Sequence, residues 1–168
     1  MAKVWAVGLG MVAFLAMAPA PAMATALGAD AGACERGETA FLVRVDGFKT
    51  RTGMLRVQLY GDNPADFLAK GRKLRRIDLP VTRSGRMDVC IALPTPGTYV
   101  VAVRHDLDGD GKSGWSDGGG FSRNPRLSLL RLKPEFRDVV VRAGAGVSPV
   151  DVQLQYRRGL SIGPVAAG

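Results

Sequence analysis

The sequence predicts an all-β sandwich of about seven short strands, with one short helix and one long loop rich in Asp and Gly. Two observations predict this class. Apolar and polar residues alternate with a period of two in several short segments, as in strands that bury one face. Turns containing Gly or Pro separate these segments at fairly even spacing. We expect one domain, over residues 39–157, which is long enough for a proper core.

The first 24 residues have the pattern of a secretory signal peptide. Lys3 supplies a charged start, Val4–Ala18 is apolar, and Ala22–Ala24 is a small-x-small cleavage site. The apolar run ends at Pro19, short of the roughly 20 residues that a membrane anchor needs. We therefore expect cleavage near Ala24, a periplasmic or secreted protein, and no transmembrane segment in the mature chain.

The mature chain begins with a small, polar segment, residues 25–38, which we interpret as a loose leader. This leader contains Cys34, and the only other cysteine is Cys90. In an oxidising compartment, such a pair favours a disulfide. Two free thiols are the main alternative. Lipidation of Cys34, which follows a lipoprotein-like Ala-Gly-Ala, is a minor one.

Basic residues outnumber acidic ones, 23 to 15, so the chain carries a net charge of +8. Such a charge suits association with an anionic cell-envelope polymer or with another envelope protein. Nucleic acid is not an expected partner, because the chain carries a signal peptide and none of the known recognition motifs. One basic cluster is a candidate anion patch, although we favour its interpretation as a solvated strand edge; its members are Arg72, Lys73, Arg75 and Arg76.

The first half of the domain contains two clear strands, Phe41–Asp46 and Met54–Tyr60, which we expect to pair antiparallel. A helix then begins at Asn63, which can cap the N–H groups of a first turn that starts with proline. Gly71 ends it.

The remaining strands follow the same alternation, which also places individual side chains. In Arg86–Leu93, the apolar side chains share one face, so Cys90 points to the other and can fasten the leader to the outside of the sheet. In Val150–Tyr156, the odd positions are polar and face outward. We leave the structure of 127–132 open and expect a flexible tail over 158–168. The other predicted strands are Leu74–Val81, Thr98–His105 and Arg137–Arg142.

The loop that follows His105 has the spacing of a calcium-binding loop. Counted from Asp106, carboxylates occupy positions one, three, five and twelve, and a glycine occupies position six. Position seven contributes a backbone carbonyl, so Lys112 is compatible with an ion. The alternative is a solvated turn, because Asp and Gly are both common in turns. The predicted metal-site residues are Asp106, Asp108, Asp110, Lys112 and Asp117.

Three further residues near this loop are candidates for contact with a ligand: His105, Trp115 and Phe121. The two aromatic side chains could stack on a sugar ring, although we prefer that they cap the loop. A hydrolase or carbohydrate-active enzyme that uses His105 and the loop aspartates is an alternative. No nucleophile-elbow motif supports it, so we assign no catalytic residue.

The motif His105-Asp-x-Asp-Gly-Asp-Gly-Lys112, followed by Gly120-Phe-Ser122 and Asn124, resembles the centre of domain-of-unknown-function family 2141. The similarity covers Phe41–Tyr156 and includes the Gly-x-Tyr-x-Val-x-Val-x-His-Asp strand that enters the loop. It implies an exported bacterial protein with an immunoglobulin- or prealbumin-like sandwich, and it implies no activity. This chain departs from the family pattern in the compact segment that follows Lys112.

These observations together predict an exported, non-enzymatic β-sandwich, stabilised by calcium, that acts as a binding or structural module. The calcium ion is the only expected cofactor. One alternative is an enzyme built around His105. The other is an envelope-binding module that acts through the basic cluster.

Overall fold

The computed structural model describes residues 25–165; the predicted signal peptide and residues 166–168 lie outside this range. The predicted all-β sandwich is confirmed: ten strands in the described range form two sheets, with two small helices. The elements, in chain order, are α1 Ala31–Glu35, β1 Ala40–Asp46, β2 Met54–Tyr60, a 3-10 helix Pro64–Asp66, β3 Arg75–Pro80, β4 Met87–Ala92, β5 Gly97–Asp106, β6 Gly118–Phe121, α2 Phe136–Val139, β7 Val140–Ala143, β8 Val147–Gln153, β9 Gln155–Arg158 and β10 Ser161–Gly163.

The small sheet has the order β4-β1-β8, and its β1–β8 pair is parallel while β1–β4 is antiparallel. The large sheet has the order β10-β9-β6-β5-β2-β3, and β7 also pairs with β5. The predicted pairing of β1 with β2 is wrong, because the two strands lie in different sheets. Each strand has one apolar face, and such a face is expected both in strands that pair within one sheet and in strands that stack face to face in two sheets.

The apolar faces of the two sheets meet in the main core. Its side chains alternate along β1, β2, β4 and β5, as the sequence pattern predicts, and most are fully buried. Two of its aromatic rings, those of Phe41 and Tyr99, pack edge to face with centroids 6.0 Å apart. Burial of this apolar surface is the main stabilising contribution to the sandwich.

Strand β5 is buried on both faces and organises the candidate site. Tyr99, Val101, Val103 and His105 point into the main core. The alternate side chains point to the outer face of the large sheet, where a second apolar cluster covers Val100, as the pleat of a strand requires. This cluster includes Tyr60, Phe67, Val100, Ala102, Phe121 and Val139.

The leader is ordered, in contrast to the expected loose segment. Residues Ala31–Glu35 form α1 against β4, and the predicted disulfide joins Cys34 to Cys90. The buried carboxylate of Asp30 accepts hydrogen bonds from the Arg75 guanidinium and from the N–H of Ala92 at 2.9 Å. Burial opposes ionisation of Asp30, but these hydrogen bonds outweigh it and lower its pKa.

Several element boundaries differ from those expected. The segment Val150–Tyr156 is not one strand: the chain leaves the small sheet at Leu154 and continues as β9 in the large sheet. Asn63 caps its turn as predicted, accepting from the Ala65 N–H at 3.1 Å, but the helix is a single 3-10 turn. The first residues of the predicted strand 137–142 form α2, and part of the expected flexible tail forms β10.

Candidate functional site

The acidic loop begins where β5 ends, and it returns to the large sheet at β6. Three of its carboxylates converge: Asp106, Asp108 and Asp117 each offer an oxygen within 4.8 Å of the others. Asp106 is buried, with 2 % of its surface exposed, whereas Asp108 is exposed. Three oxygens at this separation can contact a single cation of calcium size.

The carboxylate of Asp106 accepts hydrogen bonds from the backbone of the first half of the loop. Its Oδ1 accepts a hydrogen bond from the N–H of Gly109 at 3.0 Å, and its Oδ2 accepts one from the N–H of Gly111 at 3.0 Å. Both glycines have positive φ, 71° and 80°, a region that other residues rarely adopt. The spacing of Asp and Gly in the sequence therefore corresponds to a specific fold of the loop.

Asp117 holds the second half of the loop. Its Oδ1 accepts from the N–H of Leu107 at 3.2 Å, and its Oδ2 accepts from the N–H of Gly114 at 2.8 Å. The carboxylate of Asp110 lies outside the group of three and accepts from the N–H of Lys112 at 2.7 Å. Lys112 itself is exposed.

An arginine that the sequence analysis did not single out fixes the position of the loop. Arg104 Nη2 donates to Asp106 Oδ2 at 3.1 Å and to the carbonyl of Gly111 at 2.8 Å, while Nη1 donates to Ser113 Oγ at 2.9 Å. Its Nε is buried and has no partner within residues 25–165. Of the three converging carboxylates, only Asp106 pairs with this guanidinium; Asp108 and Asp117 form no ion pair among the described residues, so the group keeps an excess of negative charge.

A groove of about 300 Å³ lies beside this loop, on the outer face of the large sheet. One wall is the loop itself, from Ser113 to Asp117, and a second wall is the segment 127–132. Its floor consists of outward-pointing residues of β2, β5, β6 and β9. The lining is mainly apolar, and its polar groups include Gln58, Gln155 and Arg157. Such a composition is typical of a binding site for a small molecule.

His105 lies in the main core, away from this groove, and is fully buried. Its Nε2 is 2.8 Å from the carbonyl of Thr52, which can only accept, so Nε2 carries the proton. Its Nδ1 then accepts from the hydroxyl of Tyr156 at 2.6 Å. Burial lowers the pKa of His105, and burial raises the pKa of Tyr156 to about 12. Both ring nitrogens are engaged inside the protein.

The other two candidate contact residues, Trp115 and Phe121, both border the groove but differ in exposure. Trp115 is 74 % exposed at the groove, and the guanidinium of Arg157 stacks on its ring at 4.2 Å. Phe121 also borders the groove, but its ring is buried against Phe67 with centroids 5.9 Å apart. Ser122 is buried, and its hydroxyl donates to the carbonyl of Val139.

Three members of the basic cluster form ion pairs with carboxylates. Arg72 pairs with Asp66, Arg75 with Asp30 and Arg76 with Asp78. Lys73, the fourth member, has no such partner in the described part of the chain. Much of the positive charge of this cluster is therefore already compensated.

Sequence reasoning missed Arg104 and the groove. The alternation along β5 places Arg104 on the outer face, beside the start of the acidic loop, and this was the one sequence signal that could have identified it. The groove left no comparable signal, because its walls come from segments that are distant in the chain.

Within residues 25–165, no helix is both long and apolar enough to span a membrane. No curated protein and no solved structure matches this chain. A family model described as an uncharacterized protein conserved in bacteria (DUF2141) matches residues 43–150, a range that contains β2 to β6 and the acidic loop. The predicted resemblance is confirmed, and the chain belongs to the DUF2141 family.

Proposed function

We propose that this protein is an exported, non-enzymatic binding module in which calcium fixes the acidic loop as one wall of the ligand groove. The ion would contact Asp106, Asp108 and Asp117, the three carboxylates that converge within 4.8 Å. The carbonyl of Lys112 and the carboxylate of Asp110 are further oxygen donors in the same loop. This convergence is the observation that carries the proposal.

Electrostatics explains why a cation would stabilise this arrangement. Like charges at short range repel one another, and the repulsion is stronger where Asp106 is withdrawn from water. The Arg104 guanidinium compensates one carboxylate and leaves the others. A divalent cation supplies the remaining positive charge, and hard oxygen ligands are those that calcium prefers.

The loop connects the ion to the groove. The segment from Ser113 to Asp117 lines the groove, and Asp117 belongs to the carboxylate group as well. An ion that draws Asp117 toward Asp106 therefore also sets the position of Trp115. Ligand binding and calcium binding would be linked through this segment, because each favours the same loop conformation.

The two alternative functions have less support. An enzyme that uses His105 requires a ring nitrogen that can exchange a proton with a bound substrate, but the ring is fully buried and its nitrogens bond to Tyr156 and to the Thr52 carbonyl. Envelope binding through the basic cluster requires uncompensated charge, and three of its four members are paired.

Calcium titration of a Trp5→Phe chain tests the proposal, because Trp115 is then the only tryptophan. We expect a saturable change in its fluorescence at micromolar to millimolar calcium, reversed by chelator. Calcium at about 100 times its Kd would add roughly 2.7 kcal/mol of stability, which corresponds to about 5–11 °C in Tm.

Two variants make this titration specific. Asp108→Ala, at an exposed position, should abolish both responses without disturbing the core. Asp62→Ala removes an exposed carboxylate outside the loop and should leave both responses unchanged. No calcium response in the parent chain, or an equal response in Asp108→Ala, would overturn the proposal.

A further inference from the structure

Large apolar side chains are exposed on three loops that lie around the groove. Trp115, at 74 % exposure, belongs to the acidic loop, and Leu130, at 101 %, belongs to the second wall segment, 127–132. Leu160, at 90 %, lies between β9 and β10, whose residues Arg157 and Ile162 line the same groove. Single exposed apolar residues are common in proteins, but a group around one groove marks an interaction surface.

The Leu130 tip is held in place by backbone hydrogen bonds. Ser128 and Arg131 pair in an isolated antiparallel bridge, with reciprocal N–H to carbonyl distances of 3.2 and 3.0 Å. Leu129 and Leu130 are consequently the two central residues of a tight turn. Such positions favour Gly, Asn or Asp, so two leucines there are not explained by the turn itself. Leu129 faces the groove, and Leu130 projects into solvent.

The second tip has a similar construction. Antiparallel pairing of β9 with β10 places Ser161 opposite Arg158, so Gly159 and Leu160 form the turn between them. Gly159 has a positive φ of 60°, as this kind of turn requires. Leu160 again occupies an exposed turn position where an apolar side chain gains nothing from packing.

Basic residues flank the Leu130 and Leu160 tips in the chain, and Arg157 also stacks on the Trp115 ring. None of the basic residues next to the tips forms an ion pair with a carboxylate among the residues that the structure describes. Around Leu130 and Leu160 the surface therefore combines exposed apolar side chains with uncompensated positive charge, whereas the negative charge of the acidic loop lies on the Trp115 side. The basic residues are Arg126, Arg131, Lys133, Arg157 and Arg158.

We propose that this face, defined by Trp115, Leu130 and Leu160 with their neighbouring cations, docks on the surface of an anionic lipid bilayer. The acyl region of a bilayer accepts apolar tips, and anionic head groups attract lysine and arginine. Tryptophan favours the interface between these two regions. A soluble polyanion would satisfy the cations and leave the leucines in water. This inference goes beyond the proposed function and does not require calcium.

Quenching of Trp115 fluorescence by brominated lipids tests this docking. The full chain carrying Trp5→Phe is mixed with phosphatidylcholine vesicles, with or without phosphatidylglycerol, in the presence of chelator. We expect a blue shift and quenching only with phosphatidylglycerol present, weakened by high salt. Because quenching requires Trp115 itself to approach the acyl chains, residues 1–24 cannot produce this signal without docking of this face.

Two leucine variants supply the comparison. Leu130→Ser should weaken vesicle affinity about tenfold, because burial of one leucine favours transfer by at least that factor. Leu74→Ser, at a 54 % exposed leucine beside β3 at the opposite edge of the large sheet, should leave affinity unchanged. Both positions are exposed, so we expect both variants to fold.

Three results would overturn the inference: no quenching with anionic vesicles, equal affinity of Leu130→Ser and the parent, or equal affinity for soluble dextran sulfate and for vesicles. The last outcome would assign the surface to an anionic polymer. The calcium titration is read separately, so failure of either proposal is recognised independently of the other.

Discussion

Removal of one buried hydroxyl, in Tyr156→Phe, should destabilise the core measurably. The hydroxyl donates to His105 Nδ1 at 2.6 Å and accepts from the N–H of Lys49 at 3.2 Å. Without it, Nδ1 remains in a fully buried ring with no partner. An unsatisfied buried acceptor costs about 1–3 kcal/mol, which for a domain of this size corresponds to roughly 2–12 °C in Tm.

Tyr99→Phe is the matched control, because the same atom is removed at a tyrosine that is also buried. The hydroxyl of Tyr99 donates to the carbonyl of Thr95 at 2.7 Å. Thr95 is exposed, so water can replace the lost donor. We expect this variant to lose less than about 1 kcal/mol.

Thermal and denaturant unfolding of the two variants and the parent at neutral pH provide the measurement. If Tyr99→Phe loses as much stability as Tyr156→Phe, the argument from the buried His105 acceptor is wrong.

Three further predictions concern the histidine, β6 and the disulfide. Burial lowers the pKa of His105, so the stability that the neutral ring contributes is complete above its unfolded pKa of about 6.5 and is lost as the pH falls toward the lowered value. Thermal melts between about pH 7 and about pH 5, with NMR titration of this single histidine, test this pH dependence. Gly118→Ala should cost about 1–3 kcal/mol of stability, because its Cβ would lie 2.3 Å from a ring carbon of Tyr156. Gly119→Ala is the control, since the nearest atom to its Cβ would be 3.9 Å away, and equal unfolding midpoints for the two variants would contradict the argument. Cys34→Ala opens a bridge to Cys90 that spans 56 residues and should cost about 4 kcal/mol in denaturant unfolding; a loss below about 1 kcal/mol would refute the estimate.

Much of the strand content could be predicted, because alternation of apolar and polar residues is a local signal. It placed β1, β2, β4 and β5 and the inward side chains on each. It also placed Cys90 on the face opposite the core, where the disulfide forms. By contrast, β6 has the sequence Gly-Gly-Gly-Phe, which carries no alternation. Gly120 is required there for a spatial reason, since a Cβ would lie 2.6 Å from Val152 Cγ1.

The candidate site was only partly predictable. The spacing of Asp106, Asp108 and Asp117 suggested a cation loop, and the structure brings these carboxylates together. Alternation along β5 places Arg104 on the outer face, but its hydrogen bonds to the loop could not be predicted, because they depend on how the loop folds back against the strand. In the basic cluster, the partners of Arg72 and Arg76 lie six and two residues away in the chain. The partner of Arg75, Asp30, lies 45 residues away and could not be predicted from a local pattern.

By itself, the sequence determined the class of the fold, its turns, the family and the residues of the acidic loop, all of which depend on neighbours in the chain. Tertiary structure alone decided which strands pair, because strands of both sheets show the same alternation of apolar and polar residues. The expected pairing of β1 with β2 was compatible with that alternation but is wrong. It also decided that His105 is enclosed with Tyr156, 51 residues away. The groove is likewise a tertiary product, because contacts between distant segments create its walls and no local pattern records them.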